Sequence, residues 1–317
     1  MPRLGLWLHG LAGRPGESYG SLLPRLWGAG RAERLPAQSS LEVAGRLLGF
    51  AGPLPAAALL AAAEALPPGA DWLLALEPVV IGGQTGRAVL QPAGLLPAED
   101  NQALLAAARE HFADSPWQLE SGARRWYLRS RYPLDLQTPD PETVWGQEAV
   151  QTPAQGTDAR SVLAFLNELQ MLLAAHPLNL ARNDQGLDSW CYFWPWGEGC
   201  LPAARPTSPW THLIATQEEL QATARWLGMA SEMPAAVAPD TALLWVWPGT
   251  WRDPATAEGF DAQAGILRPW RRRARIELYT GILARGGEVE RVRLGPASRW
   301  AFWRRSLPGI AKRSGNW

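Results

Sequence analysis

The sequence predicts an α/β protein with a mixed, mostly parallel sheet and helices on both faces. Apolar runs of strand length alternate along the chain with amphipathic patterns of helical period. Hydrophobic residues make up 47% of the 317 residues, so the chain can bury a substantial core. No repeat period is found, which leaves a layered α/β sheet as the predicted fold class.

The first half of the chain begins with a predicted buried strand at residues 4–9, followed by a glycine-rich turn. Two helices should follow, at 19–29 and 39–49. The second has Ser39 or Ser40 as N-cap and Gly49 as its end. Beyond them we predict helices at 55–66 and 97–112 and strands at 72–81 and 124–131.

The second half begins with a proline-rich polar stretch at 134–153, which predicts a long loop or a crossing between subdomains. We therefore expect a single α/β domain over 1–317, with an inserted smaller α+β subdomain at about 82–153. The remaining predictions are helices at 158–175, 217–228 and 257–267 and strands at 189–194, 242–247, 275–279, 289–294 and 299–303.

The net charge, the cysteine number and the apolar segments of the chain limit where the protein is expected to be located and what it is expected to bind. The formal net charge is zero, so no global field attracts nucleic acid or acidic lipid. Cys191 and Cys200 are too few for a disulfide framework, and no signal peptide or membrane span is evident. We expect a cytoplasmic protein that does not bind a membrane.

Two patterns typical of catalytic sites are a serine nucleophile motif and a cluster of metal-ligating histidines. Residues 16–20 match G-x-S-x-G, but a nucleophile elbow needs its serine between a later strand and a helix. A flexible glycine-rich loop is the better interpretation. The four histidines (His9, His111, His176 and His212) are dispersed, so no metal site and no cofactor are predicted.

Aromatic and basic residues are concentrated late in the chain. Arg271, Arg272, Trp300 and Trp303 resemble a single-strand nucleic-acid grip, but packed tryptophans with solvated arginines explain them better. The overall neutrality also argues against nucleic acid.

The segment 166–199 carries the most specific pattern. It reads as an amphipathic helix, a Pro stop, a polar loop and an aromatic strand, and it resembles the RpfE-type regulatory proteins of bacteria. Weaker resemblance covers 72–81 and 125–128. The matching residues are Leu166, Asn167, Glu168, Gln170, Met171, His176, Pro177, Asn179, Arg182, Trp194, Trp196, Gly197 and Gly199.

The chain departs from that family at two positions. The family's Asp-Pro-Val-His stands here as Glu77-Pro78-Val79-Val80, so its histidine is missing. An Asn before the aromatic strand is replaced by Asp188. A function that depends on the missing histidine is not expected in this chain.

The family is in turn similar to archaeal-type cofactor-independent phosphoglycerate mutases, which implies an alkaline-phosphatase-like fold. Those enzymes use a serine nucleophile with two metals held by Asp and His. This sequence lacks a recognisable set of such ligands, without which a serine alkoxide is not stabilised. The resemblance therefore implies a degenerate, non-catalytic regulatory or ligand-binding protein. The alternative is a metal-dependent phosphomutase or phosphohydrolase acting on a small phosphorylated metabolite.

The signature also supplies the predicted site. Asn, His and Arg side chains can hold an anionic or phosphorylated ligand by hydrogen bonds, although a protein partner is also compatible with the pattern. The structural alternative is that His176 and Asn179 cap a helix end and Glu168 pairs with an arginine. The predicted ligand-binding residues are Asn167, Glu168, His176, Asn179, Arg182 and Trp196.

Overall fold

The computed structural model describes residues 1–8, 30–37, 39–66, 69, 71–84, 87–145, 154–247, 259, 262, 270, 274–280 and 288–294. Eleven strands and seven helices are described within these ranges. In chain order they are β1 (Arg3–Leu8), β2 (Arg31–Pro36), α1 (Ser40–Leu48), α2 (Ala56–Ala63), β3 (Trp72–Gln84), β4 (Arg87–Pro92), α3 (Ala98–His111), β5 (Trp117–Ser121), β6 (Trp126–Ser130), α4 (Pro141–Val144), α5 (Ala159–Ala174), α6 (Pro177–Asp184), β7 (Tyr192–Gly199), β8 (His212–Ile214), α7 (Glu218–Leu227), β9 (Ala242–Trp247), β10 (Arg275–Thr280) and β11 (Glu288–Leu294).

The chain divides into two compact units. The first unit combines Met1–Gly52 with Pro206–Trp317, and the second unit is Pro53–Arg205. The insertion predicted at about 82–153 lies inside the second unit. The unit is wider than that segment because its long strand β3 pairs with β7, which follows the segment in the chain.

The first unit is built on a six-stranded sheet in the order β2-β11-β10-β1-β9-β8. Strand β1 is parallel to β9 and β10, and β8 is parallel to β9, whereas β11 is antiparallel to both of its neighbours. The predicted α/β class with a mixed, mostly parallel sheet is confirmed.

One face of this sheet forms the apolar core of the first unit. Leu4, Leu6 and Leu8 alternate along β1 and pack with Leu278 and Val292, all buried. Helix α1 has the predicted ends. The Ser39 hydroxyl accepts a hydrogen bond from the backbone N–H of Glu42 at 3.1 Å, and Gly49 adopts φ 92°.

The second unit contains an antiparallel sheet in the order β4-β3-β6-β5, with β7 also paired to β3. The apolar side chains of α5 pack on this sheet, since Leu166 and Leu169 share a cluster with Leu74, Leu128 and Trp126. Antiparallel strands with helices on the core are typical of an α+β unit.

Several predicted elements lie outside the described residues. These are the helix at 19–29, the G-x-S-x-G stretch at 16–20, the strand at 299–303 and most of the helix at 257–267. The part of the chain that is rich in arginine and tryptophan is also largely outside the described residues, including Arg271, Arg272, Trp300 and Trp303. Among the helices that are described, none is long and apolar enough to cross a membrane.

Candidate functional site

Asn167 and Glu168 lie on the exposed side of α5, whereas Leu166 and Leu169, which flank them in the chain, face the core. The carboxylate of Glu168 lies 2.7 Å from Nε2 of His111 on α3, and both side chains are largely solvent-exposed. The alternative prediction that Glu168 pairs with an arginine is therefore wrong, because the partner of Glu168 is His111.

His176 and Asn179 shape the start of α6. Nδ1 of His176 accepts a hydrogen bond from the backbone N–H of Leu178 at 3.3 Å, and Pro177 takes the first helical position. His176 therefore acts as the N-cap of α6.

Asn179 is completely buried and joins three parts of the chain. Its amide nitrogen donates to the carbonyls of Leu173 at 2.8 Å and Trp190 at 3.3 Å. Its amide oxygen accepts from the backbone N–H of Trp190 at 2.8 Å. Both the donor and the acceptor of this side chain thus bind backbone groups, which ties the end of α5 and the loop before β7 to α6.

Arg182 and Trp196 belong to different contact sets. Nε of Arg182 donates to the carbonyl of Asp188 at 3.0 Å, which closes the loop after α6. Trp196 is buried on β7, and its indole Nε1 lies 3.4 Å from Oε2 of Glu77 on β3. Of the six predicted site residues, Asn179 and Arg182 thus lie on α6 and His176 is its N-cap, while Trp196 contacts a separate polar cluster.

The glycines of the signature have a packing role. Gly197 has φ 70°, and a Cβ there would lie 2.9 Å from Cβ of Ala56 and 3.0 Å from the backbone nitrogen of Ala57. Helix α2 can therefore approach β7 only because this position lacks a side chain. The Trp-Gly-x-Gly pattern marks the contact between these two elements.

The tryptophans of the signature also serve packing. The indole Nε1 of Trp190 donates to the carbonyl of Gly94 at 3.0 Å, and that of Trp194 donates to the carbonyl of Pro139 at 2.9 Å. Trp190 packs edge-on against Trp126 with ring centroids 5.9 Å apart. The indole N–H groups of Trp190 and Trp194 therefore both have hydrogen-bond partners, as tryptophans packed in a protein interior require.

A buried polar cluster lies beside Trp196 and was not predicted as a site. Nε of Arg125 donates to Oε2 of Glu77 at 2.7 Å, and its Nη1 donates to Oε1 of Glu64 at 3.0 Å. The Arg125 side chain is only 5% exposed. We call this group, with Tyr127 and Trp196, the Arg125 cluster.

The rest of the cluster holds Glu64 in place. The Tyr127 hydroxyl donates to Oε1 of Glu64 at 3.0 Å, and the backbone N–H of Ala123 donates to its Oε2 at 2.8 Å. Burial and the neighbouring Glu64 carboxylate raise the pKa of Tyr127 well above its ordinary value, although Arg125 opposes this. Tyr127 is therefore a fixed hydrogen-bond donor at neutral pH.

The sequence held a signal for this cluster. Glu77 and Arg125 both fall in the two stretches of weaker family resemblance, at 72–81 and 125–128. Periodicity alone could not find them, because the Arg125 side chain reaches partners 48 and 61 positions away in the chain.

A partly buried carboxylate lies near the end of β7. Glu198 accepts hydrogen bonds from the hydroxyl of Thr138 at 2.6 Å and from its backbone N–H at 3.2 Å. Burial raises the pKa of Glu198, and the hydrogen bonds from Thr138 only partly offset this effect.

Potential metal ligands are not gathered in the described ranges, where no group of three or more His, Cys, Asp or Glu side chains is placed to hold an ion. Cys191 is buried and Cys200 is exposed, and both are free thiols.

Comparison with known proteins finds only distant likenesses to solved structures. No family model matches the chain, and no curated protein matches it. A cofactor-independent phosphoglycerate mutase from Thermoplasma acidophilum is 19% identical, with a TM-score of 0.42 over 92% of this chain and 89% of that chain. The PH0037 protein from Pyrococcus horikoshii is 15% identical, with a TM-score of 0.49 over 92% of this chain and 87% of that chain.

Proposed function

We propose that this chain is a non-catalytic, ligand-binding protein with a regulatory role, of the RpfE type. In this proposal the second unit recognises a small anionic or phosphorylated ligand. The proposal rests on the way in which the second unit uses its buried charges.

The Arg125 cluster is the observation that carries the proposal. Glu64 and Glu77 each bind the Arg125 guanidinium within 3.0 Å, so a fixed cation already compensates both carboxylates. A divalent metal bound to either carboxylate would have to displace that guanidinium in a largely buried setting, which is costly. This arrangement favours a rigid binding scaffold over a metal-dependent reaction at these residues.

A second arginine of the same sheet is matched in the same way. Arg129 lies 2.8 Å from Glu120 and 3.1 Å from Asp71. Hydrogen bonds from its guanidinium to Glu120 and Asp71 raise the pKa of Arg129, although burial opposes this. Charge pairing in this sheet thus follows one pattern, in which an arginine is held between two carboxylates.

The ligand contacts in this proposal come from the exposed side of α5 and α6. Arg182 and His176 provide donors for an anion, with Asn167 and Glu168 at the margin. Asn179 would act indirectly, because its amide holds α6 in position, and Trp196 would support the neighbouring strand. A protein partner that offers an acidic group would use the same donors.

A direct test uses the purified full-length protein with 3-phosphoglycerate as the probe. Calorimetric titration of the wild type is compared with Arg182→Ala and with the control Arg160→Ala, which removes an exposed charge from α5. We expect wild-type binding that weakens about tenfold or more in Arg182→Ala and stays unchanged in Arg160→Ala.

The same preparation is dialysed against Mn²⁺, analysed for bound metal and assayed for interconversion of 3- and 2-phosphoglycerate. We expect no turnover above background. Stoichiometric metal together with turnover would replace the proposal by the metal-dependent phosphomutase or phosphohydrolase. Equal loss of binding in both arginine variants would contradict the assignment of the ligand to α6.

A further inference from the structure

The first unit carries an unusual concentration of arginine on one side of its sheet. Alternation along each strand places Arg3, Arg275, Arg291, Arg293 and Arg31 on the face opposite the apolar core. Only two acidic side chains of these four strands, Glu277 and Glu33, share that face. Trp7 and Tyr279 lie on the same side and are buried, so only the end of the sheet that carries the arginines is open to solvent. We call this end the arginine face.

Like charges are direct cross-strand neighbours on this face. Arg3 is the register partner of Arg275 between β1 and β10, and Arg293 is the partner of Arg31 between β11 and β2. Like charges in such positions repel each other and destabilise a sheet. Two such arginine pairs on one face therefore need a negative charge to offset their repulsion.

Glu277 compensates only part of this charge. It is 1% exposed, and its Oε2 accepts from Nη2 of Arg3 at 2.7 Å and from the Tyr279 hydroxyl at 2.6 Å. Burial acts to raise the pKa of Glu277, but these hydrogen bonds and the charges of Arg3 and Arg275 hold it below its ordinary value. The carboxylate is therefore ionised, with its second oxygen facing two more guanidinium groups.

Those two groups are Arg275 and Arg293. Their Nε atoms lie 3.5 Å and 3.6 Å from Oε1 of Glu277, beyond the range of a good hydrogen bond. Their side chains are 57% and 45% exposed. Within the described residues neither guanidinium makes a hydrogen bond, so both keep their donors available to solvent.

Glu33, the other acidic side chain of the face, already pairs with an arginine. Glu33 binds Nη2 of Arg291 at 2.7 Å and lies 3.8 Å from Nη1 of Arg293. Arg31, at the sheet edge, is exposed and has no ion-pair partner among the described residues. The face thus holds an excess of positive charge that is fixed by strand register and reachable from solvent.

We propose that the arginine face binds a small phosphate-bearing anion, with Arg275 and Arg293 as its principal contacts and Arg3 and Arg31 beside them. This site lies in the first unit, and it does not depend on the function proposed for the second unit.

The chemistry of the face favours a small phosphate over other anions. A guanidinium presents a planar set of N–H donors that fits phosphate oxygens in pairs. Adjacent strands lie about 4.8 Å apart, so the four strands span roughly 14 Å, the scale of a compact ligand. Single-stranded nucleic acid needs a longer track with stacked aromatics, and on this face Arg3 already covers the Trp210 ring at 4.2 Å.

The test uses pyrophosphate and inorganic phosphate as probes on the full-length protein, followed by calorimetry at low and moderate salt. The variants are Arg275→Gln, Arg293→Gln and the double substitution. Arg225→Gln is the matched control, since it removes an exposed positive charge from α7 of the same unit. Arg131→Gln, which removes an exposed arginine of the second unit, is the control for that unit.

We expect pyrophosphate to bind and to raise the unfolding temperature. Each single substitution should weaken binding about tenfold and the double substitution more, whereas Arg225→Gln and Arg131→Gln should leave it unchanged. Circular dichroism checks that each variant is folded, and Arg293→Lys, which keeps the charge, supplies an intermediate affinity if Gln perturbs β11.

Three results would overturn the inference. These are the absence of pyrophosphate binding to the wild type, equal weakening by Arg225→Gln, and equal weakening by Arg131→Gln. Tighter binding of a single-stranded oligonucleotide than of pyrophosphate, with the same dependence on Arg275 and Arg293, would replace the small anion by nucleic acid.

Discussion

The two units of this protein use arginine in opposite ways. In the Arg125 cluster one buried guanidinium is matched by two carboxylates and a tyrosine hydroxyl supports the pair. On the arginine face five arginines share two carboxylates, and three of the arginines, Arg275, Arg293 and Arg31, are exposed. The comparison indicates that matched charge fixes a structure, whereas unmatched charge at a fixed spacing is available for a ligand.

The largest expected effect comes from breaking the matched cluster. Arg125→Met leaves Glu64 and Glu77 as uncompensated, mostly buried carboxylates, so we expect a loss of about 3–5 kcal/mol in the free energy of unfolding. Urea denaturation measures this. The control Arg131→Met removes an exposed arginine just beyond the same strand and should cost less than about 0.5 kcal/mol. Equal costs would show that the cluster does not stabilise the second unit.

The next effect concerns the anchor of α6. Asn179→Ala strands the buried N–H and C=O groups that now bind the amide, which should cost about 3 kcal/mol. Asn167→Ala is the matched control, because Asn167 is exposed on α5 and its loss should be nearly neutral. A small effect of Asn179→Ala on stability, together with a large effect on ligand binding, would assign Asn179 to the ligand instead.

A smaller effect is expected for Glu198, a partly buried carboxylate that accepts two hydrogen bonds from Thr138. Its pKa is raised in the folded state, so folding favours the protonated form. The stability that this group contributes is present at acidic pH and is lost as the pH rises through the folded pKa.

We therefore expect the stability of the wild type relative to Glu198→Gln to fall as the pH rises above the ordinary carboxyl pKa of 4.5. Urea titrations of both proteins over a series of pH values provide the measurement. A constant difference would contradict the raised pKa. Glu232→Gln, an exposed carboxylate of the first unit, is the control and should show no such trend.

The smallest effect on the free energy of unfolding is expected for Arg31→Gln, and it should be an increase, unlike the loss expected for Arg125→Met. Arg31→Gln relieves the repulsion of Arg293 across β2 and β11, so stability should stay equal or rise by about 0.5 kcal/mol. Arg46→Gln breaks the pair of Arg46 and Glu42 at 2.9 Å and should cost about 0.3–0.5 kcal/mol. If removal of Arg31 destabilises the protein more than removal of Arg46, the charge of the arginine face is structural.

The sequence determined which strands occupy the interior of the sheets. Apolar runs predicted β1, β3, β6, β9, β10 and β11, all of which have a neighbour on each side. Of the described strands with a single neighbour, β2, β4, β5 and β8 were not predicted, whereas β7, which pairs only with β3, was predicted at 189–194. A strand at a sheet edge is buried less completely, so it needs no continuous apolar run, and β2 reads RAERLP with mostly exposed residues.

The sequence also determined the caps of α1 at Ser39 and Gly49 and the segment that carries the family resemblance. Only the tertiary structure decided what the charged residues do. Arg125 meets Glu64 across 61 positions, and Arg3 meets Glu277 across 274. Local patterns report on neighbours within a turn or a strand, whereas ion pairs depend on strand register and burial, which are set when distant segments pack together.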